Sequence, residues 1–100
     1  MFIQMRRFTV TEGNAHRLIE KFSKGDSPVS KQEGFIDMTV MEKKVRRGDE
    51  EVLIMVRWQS EAHWKAWEKS PEHIAGHRAK KGQEKPDFIV NVEVSSYEVR

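Results

Sequence analysis

The spacing of apolar positions changes several times along the chain, and each change marks an element. From Phe2 to Val10 the residues alternate, with Phe2, Gln4, Arg6, Phe8 and Val10 on one face and Ile3, Met5, Arg7 and Thr9 on the other, which predicts a strand. Gly13 and Asn14 interrupt it. Asn14 is a residue type that caps helices, and Ala15, Leu18, Ile19 and Phe22 then recur at the spacing of one helical stripe. Ser23 to Gly34 collects Ser, Gly, Asp, Pro and Lys and reads as a loop with room for a short helical turn. A second alternating segment, Phe35 to Val45, is joined by Arg46-Arg47-Gly48-Asp49 to a third, Glu51 to Trp58, and the two predict an antiparallel hairpin. Ser60 can cap a helix carrying Trp64 and Trp67. Ser70-Pro71 repeats the signal and predicts a second short helix over Pro71 to Lys80. Lys80 to Asp87 is a polar loop, and Phe88 to Val99 is the last strand.

Strand, helix, two strands, a helical pair and a strand make a ferredoxin-like split βαββαβ arrangement of the α+β class, a four-stranded antiparallel sheet with helices on one face. A sheet covered on one side should alternate apolar with polar residues. The third strand instead sets Val52, Ile54, Val56 and Trp58 against Leu53 and Met55, and the first sets Phe2, Phe8 and Val10 against Ile3 and Met5. Two apolar faces need two covers. The helices are one, and a second copy of the sheet is the simplest other, so a homodimer is expected.

Composition narrows the chemistry more than the fold. One hundred residues suit a single domain spanning 1–100. With no cysteine, disulfides, Cys-ligated zinc, iron–sulfur clusters, thiolate-ligated heme and cysteine nucleophiles are excluded. The net charge of +2 gives no argument for nucleic acid, and the third strand lacks the Gly-aromatic pattern of an RNA-stacking sheet. The longest apolar run, Val52 to Val56, is far short of the ~20 residues of a membrane helix. The opening MFIQMRR lacks the apolar core of a signal peptide, so a cytoplasmic location is expected.

The candidates that remain are histidines, aromatics and one arginine. His16 lies off its helix's apolar stripe and reads as a solvated side chain. His73 and His77, four apart, could grip zinc, but a zinc centre wants a third ligand that the sequence does not supply at a recognisable spacing. A single histidine can ligate heme iron if an apolar pocket accepts the flat macrocycle. His77 follows Ile74, Ala75 and Gly76, and Trp64, Trp67, Phe22 and Phe8 could wall such a pocket or simply fill the core. Arg6 shares the face of Phe2 and Phe8; it is either a surface charge near a strand end or a cation that needs an anionic partner, such as a carboxylate of a ligand. No Gly-rich phosphate loop and no G-x-S-x-G elbow occurs.

The segments Thr9-Val10-Thr11-Glu12-Gly13, Glu33-Gly34-Phe35, Arg57-Trp58-Gln59-Ser60-Glu61, Trp64-Lys65-Ala66-Trp67, Ser70 and Ala75-Gly76-His77 resemble the IsdG-type heme-degrading monooxygenases of the antibiotic-biosynthesis-monooxygenase-like superfamily. The resemblance covers nearly the whole chain, and the tryptophan ten residues before the histidine is its most specific element. It implies a dimeric α+β barrel with one heme per subunit, held between helices and sheet. It further implies His77 as axial ligand to the iron, and Trp67 as the residue whose bulk pushes the macrocycle out of plane. Phe22 takes the place of the family's pocket phenylalanine. The implied reaction is oxidative opening of the porphyrin ring with release of iron, using dioxygen and electrons from a reductase or a chemical donor. Counting back from Glu12-Gly13, Arg6 stands where the staphylococcal-type enzymes carry a distal asparagine, so a fixed charge with longer reach replaces a neutral donor. A heme carrier without turnover, and a cofactor-free oxygenase of quinols or polycyclic phenols, are the other readings.

Overall fold

A computed structural model describes residues 1–23, 28–80 and 86–100, with residues 76–80 described by backbone alone. The expected element order is present: β1 (Phe2–Val10), α1 (Ala15–Phe22), a single 3-10 turn (Pro28–Lys31), β2 (Phe35–Glu42), β3 (Glu50–Trp58), α2 (Glu61–Glu68), α3 (Pro71–Lys80) and β4 (Ile89–Glu98). The four strands form one sheet in the order β2-β3-β1-β4, antiparallel throughout. β2 and β4 are its two free edges. The sheet is therefore open, and the barrel that the family resemblance implied is not the architecture of this chain: its outermost strands do not pair. No described helix is long and apolar enough to cross a membrane.

Cross-strand register decides which residues share a face, because directly paired residues point the same way. Phe8 pairs with Val52, Arg6 with Ile54 and Phe2 with Trp58, so the helix side of the sheet collects the alternating set read from the sequence. Phe8, Val10, Val52 and Ile54 are buried there against Ala15 and Leu18 of α1, with Ile19, Phe22, Met38 and Val40 packed around them. Fully burying one such side chain is worth ~1.5–3 kcal/mol, so this stripe seats α1 on the sheet.

The opposite face carries Ile3, Met5, Leu53 and Met55 half-buried by their sheet neighbours, with Met41 and Tyr97 exposed beside them. Among the described residues, nothing covers that face.

Two local devices set the helices. Asn14 occupies the cap position of α1, yet its side chain donates to Thr11 Oγ1 at 2.7 Å and makes no cap bond. Glu50, at the start of β3, takes over: its carboxylate accepts from the backbone N–H of Gly13 at 3.1 Å and of Ala15 at 3.0 Å. An anion at the positive end of the helix also complements its dipole.

Gly34 does the same kind of work for α2. Its φ is +85°, and a Cβ there would collide with the imidazole of His63 in the first turn of α2. Glycine thus lets the start of β2 and the start of α2 touch. Gly34→Ala is expected to cost ~1–3 kcal/mol for the dihedral alone, and more for the collision. Gly13 and Gly48 also have positive φ but open space around the Cβ position, so alanine there should cost only the dihedral part. Urea midpoints of the three variants check this: equal losses would remove the collision from the account.

Candidate functional site

β1 lies inside the sheet, between β3 and β4, so its helix-side residues floor the space beside α1 and α2. Two aromatic pairs bound this floor. At one end the Phe8 and Phe22 rings are 5.7 Å apart, and at the other Phe2 and Trp64 are 5.2 Å apart, both pairs tilted. Phe2 and Phe8 are separated by about 20 Å of strand at ~3.3 Å per residue. Between them, on the same face, stand Gln4 and Arg6, both half-buried.

Arg6 is flanked in register by Ile54 on β3 and Val94 on β4, and Gln4 by Val56 and Ser96. Val94 is 56% exposed and Val92 39%, so the β4 side of the floor is an open apolar shelf among the described residues. Arg6 has no hydrogen-bond or ion-pair partner among them. A partly desolvated guanidinium without an anion is costly, and its natural complement is a ligand that brings one. The indole Nε1 of Trp64 is likewise buried without a partner among the described residues. Aromatic walls, an apolar shelf, one orphan N–H and one unpaired cation suit a flat, largely apolar molecule with acidic groups at its rim, and heme has that chemistry.

α2 enters this site through Ser60, whose hydroxyl accepts the His63 backbone N–H at 3.3 Å and lies 2.7 Å from His63 Nδ1. Trp64 and Trp67, three apart on α2, separate. Trp64 drops onto Phe2, whereas Trp67 turns toward α3 and stacks on His73, with centroids 5.0 Å apart and planes 24° from parallel. His73 is held in turn: its backbone N–H donates to Ser70 Oγ at 3.2 Å, and Nδ1 lies 2.9 Å from Glu68 Oε2 and 3.2 Å from the Glu68 carbonyl. Both neighbours of Nδ1 are acceptors, so Nδ1 carries a proton. Neither the His73 stack nor the Glu68 contact has a sequence signal, since the residues straddle a helix break.

Of the other expected site residues, Phe8 and Phe22 are at the floor's far end, Ile74 is exposed on α3, and Arg6 is central. The structure therefore brings Phe8, Phe22, Arg6 and Trp64 to one face but puts the aromatics at its two ends rather than in one wall. His77 falls on the α3 backbone, and its side chain lies outside the described residues. So do residues 81–85 of the loop expected from Lys80 to Asp87. His16 is exposed on α1.

The opposite face of the sheet carries charge of a different kind. Arg57 and Asp37, paired across β2 and β3, form a two-point ion pair, with Nε donating to Oδ1 at 2.7 Å and Nη2 to Oδ2. The hydrogen bonds from Arg57 hold the Asp37 carboxyl below the ordinary aspartate range, the nearby positive charge acting in the same direction. A carboxyl lowered in the folded state adds stability above its unfolded pKa of about 3.9, and that contribution disappears as pH falls through the folded value. The urea midpoint of Asp37→Asn is accordingly expected to lie below that of the wild type at pH 7 and to approach it at pH 3; a gap that stays constant with pH would contradict the assignment.

Comparison with known proteins places these features in context. The family model described as antibiotic biosynthesis monooxygenase matches residues 1–79. The heme-degrading monooxygenase HmoA of Bacillus subtilis is 60% identical over all of this chain and 92% of its own length. A heme-degrading monooxygenase of Bacillus thuringiensis is 32% identical over the whole chain and 91% of its own. Among solved structures, a Bacillus cereus protein assigned to the antibiotic biosynthesis monooxygenases superposes with a TM-score of 0.85 at 48% identity, covering 99% of this chain and 92% of that one. The heme-degrader MhuD of Mycobacterium tuberculosis, solved with two hemes in its active site, superposes at 0.70 over 99% of this chain and 95% of its own; at 17% identity this is a likeness of fold.

Proposed function

The chain belongs to the antibiotic biosynthesis monooxygenase family, and on that premise we propose that it binds heme on the helix side of the sheet through His77 and oxidatively opens the porphyrin ring, releasing iron. The observation that carries this reading is the full-length similarity, at 60% identity, to a protein named for heme degradation. The floor between Phe2/Trp64 and Phe8/Phe22 has the chemistry such a ligand needs. Heme supplies the redox-active iron and is itself the molecule consumed, with dioxygen as oxidant and electrons from a reductase or chemical donor.

The protein's own residues do the rest. His77 on α3 would hold the heme iron through its imidazole. Arg6, without an ion-pair partner among the described residues, would offer its guanidinium to a negative charge of the ligand, and the aromatic pairs at the two ends of the floor would limit how far the ligand slides along β1. Trp67, on the α3 side of α2, would bear on the bound macrocycle with its indole. The shelf of Val92 and Val94 takes its apolar edge and excludes water from that side.

The uncovered face with Ile3, Met5, Leu53, Met55 and Tyr97 supports a homodimer through sheet-to-sheet contact. Light scattering at micromolar concentration should give twice the 11.8 kDa chain mass; a monomer at that concentration would contradict it.

Hemin added to the protein should give a Soret band that bleaches when ascorbate and oxygen follow. The charge of Arg6 favours one other reading, a protein that holds heme without consuming it. In that case the band forms and does not bleach with any donor.

A further inference from the structure

Trp67 has a support that the rest of the site lacks. Trp58 and Trp64 pack against phenylalanines from the sheet, whereas Trp67 is half-buried and has a histidine on its face. That histidine is not free to turn. Ser70 fixes its backbone, Glu68 holds Nδ1 from both its side chain and its carbonyl, and only 12% of the His73 side chain is exposed. Trp67 and Glu68 are adjacent on α2 and His73 is on α3, so the stack and the hydrogen bonds together cross the Ser70-Pro71 corner and tie the two helices. A ring held at Nδ1 by two acceptors, on a backbone fixed by Ser70, restricts the rotamer of the indole lying on it, because any rotation of Trp67 about χ1 must break a stack of roughly 0.5–1.5 kcal/mol.

We infer that His73, oriented by Glu68, is a positioning residue that fixes the indole of Trp67 for the ring-opening reaction. The inference rests on the function proposed above, in which Trp67 presses on the macrocycle. Pressing needs a backstop: a side chain that bends a ligand is itself pushed, and an indole without support on its far face would rotate away rather than transmit the force. His73 supplies that support from α3, the helix that also carries His77, so ligand binding and indole orientation share one rigid element. His73 touches Trp67 and acts through it.

The test replaces His73 by alanine, which removes the stack, and by phenylalanine, which keeps a flat ring without the hydrogen bonds. Protein labelled with 5-fluorotryptophan should give three fluorine resonances, one for each tryptophan, with that of Trp67 identified by its loss in Trp67→Phe. His73→Ala is expected to move the Trp67 resonance toward the position of exposed fluorotryptophan while those of Trp58 and Trp64 stay; His73→Phe should leave it close to the wild-type position. With hemin, His73→Ala should keep the Soret band and hemin affinity but slow bleaching about tenfold, a loss typical of a misplaced reacting geometry, and His73→Phe should recover most of the rate. An unmoved Trp67 resonance in His73→Ala overturns the clamp. A moved resonance with an unchanged bleaching rate overturns its role in the reaction. A wild-type protein that never bleaches hemin overturns the proposed function itself and the role in turnover with it, and the absence of wild-type bleaching distinguishes that failure from the first two.

Discussion

His77→Ala is expected to abolish the Soret band that hemin induces in the wild-type protein, with hemin affinity falling by at least about 100-fold. Even residues that only hydrogen-bond to a metal ligand are worth about 10–100-fold in affinity, and the ligand itself should be worth no less. The other imidazoles make the comparison informative. His63 Nδ1 is 2.7 Å from Ser60 Oγ at the start of α2, and its ring sits against Gly34. His73 is pinned between Glu68 and Trp67, and His16 is exposed on α1. Alanine at any of these three should leave the band in place. A band that survives His77→Ala and disappears in His73→Ala would move the axial ligand four residues along α3, to the imidazole whose Nδ1 already donates to a carboxylate.

The second large effect concerns stability. Trp58 ends β3 with 1% of its surface exposed, its ring meeting the edge of Phe35 at 5.9 Å and 88° and its backbone paired in register with Phe2. It locks three strands at the end of the sheet that carries α2. Trp58→Ala is expected to cost ~3–5 kcal/mol, the usual range for emptying a large aromatic site. Against a typical total of ~5–15 kcal/mol, that leaves little folded protein at moderate temperature. Trp58→Phe should cost much less. The Trp58 Nε1 is buried without a hydrogen-bond partner among the described residues, so phenylalanine loses volume but also sheds an unpaired N–H whose burial is unfavourable by ~1–3 kcal/mol. Urea unfolding of the two variants separates these contributions. A Trp58→Phe midpoint as low as that of Trp58→Ala would show that the indole N–H has a partner after all.

The order of elements could be read from the sequence because each depends on local periodicity, as in the alternation of Phe2, Phe8 and Val10 or the stripe of Ala15, Leu18 and Phe22. What local pattern could not supply was any contact between distant residues. Val45 continues the alternation of the second strand, but the β2–β3 ladder ends at the pair of Glu42 and Val52, and beyond it Val45 is exposed. Asn14 has the composition of a cap, yet Glu50, 35 residues away from Ala15, does the capping.

Trp64 and Trp67, three apart, are offset by about 60° on a helix of ~3.6 residues per turn. That is enough for one to reach the sheet and the other to reach α3. Both strand faces carry apolar residues, as the alternation predicts, whereas the closed barrel that the family resemblance implies does not hold for this chain, whose sheet ends in two free edges. Alternation puts Arg6 on the face of Phe2 and Phe8 but leaves open whether it is a surface charge, and the register with Ile54 sets it on the helix side. That it has no partner among the described residues depends on its neighbours in register, Ile54 and Val94, which local pattern does not give.

The central claim is that this chain consumes heme rather than merely holding it, and the most direct measurement is a visible spectrum of the hemin-loaded protein before and after ascorbate in air, with released ferrous iron trapped by a chelator. The account predicts a Soret band that decays while about one iron per heme is released, the stoichiometry of ring opening. A stable Soret band with no trapped iron, under ascorbate and under an enzymatic reductase alike, would contradict it.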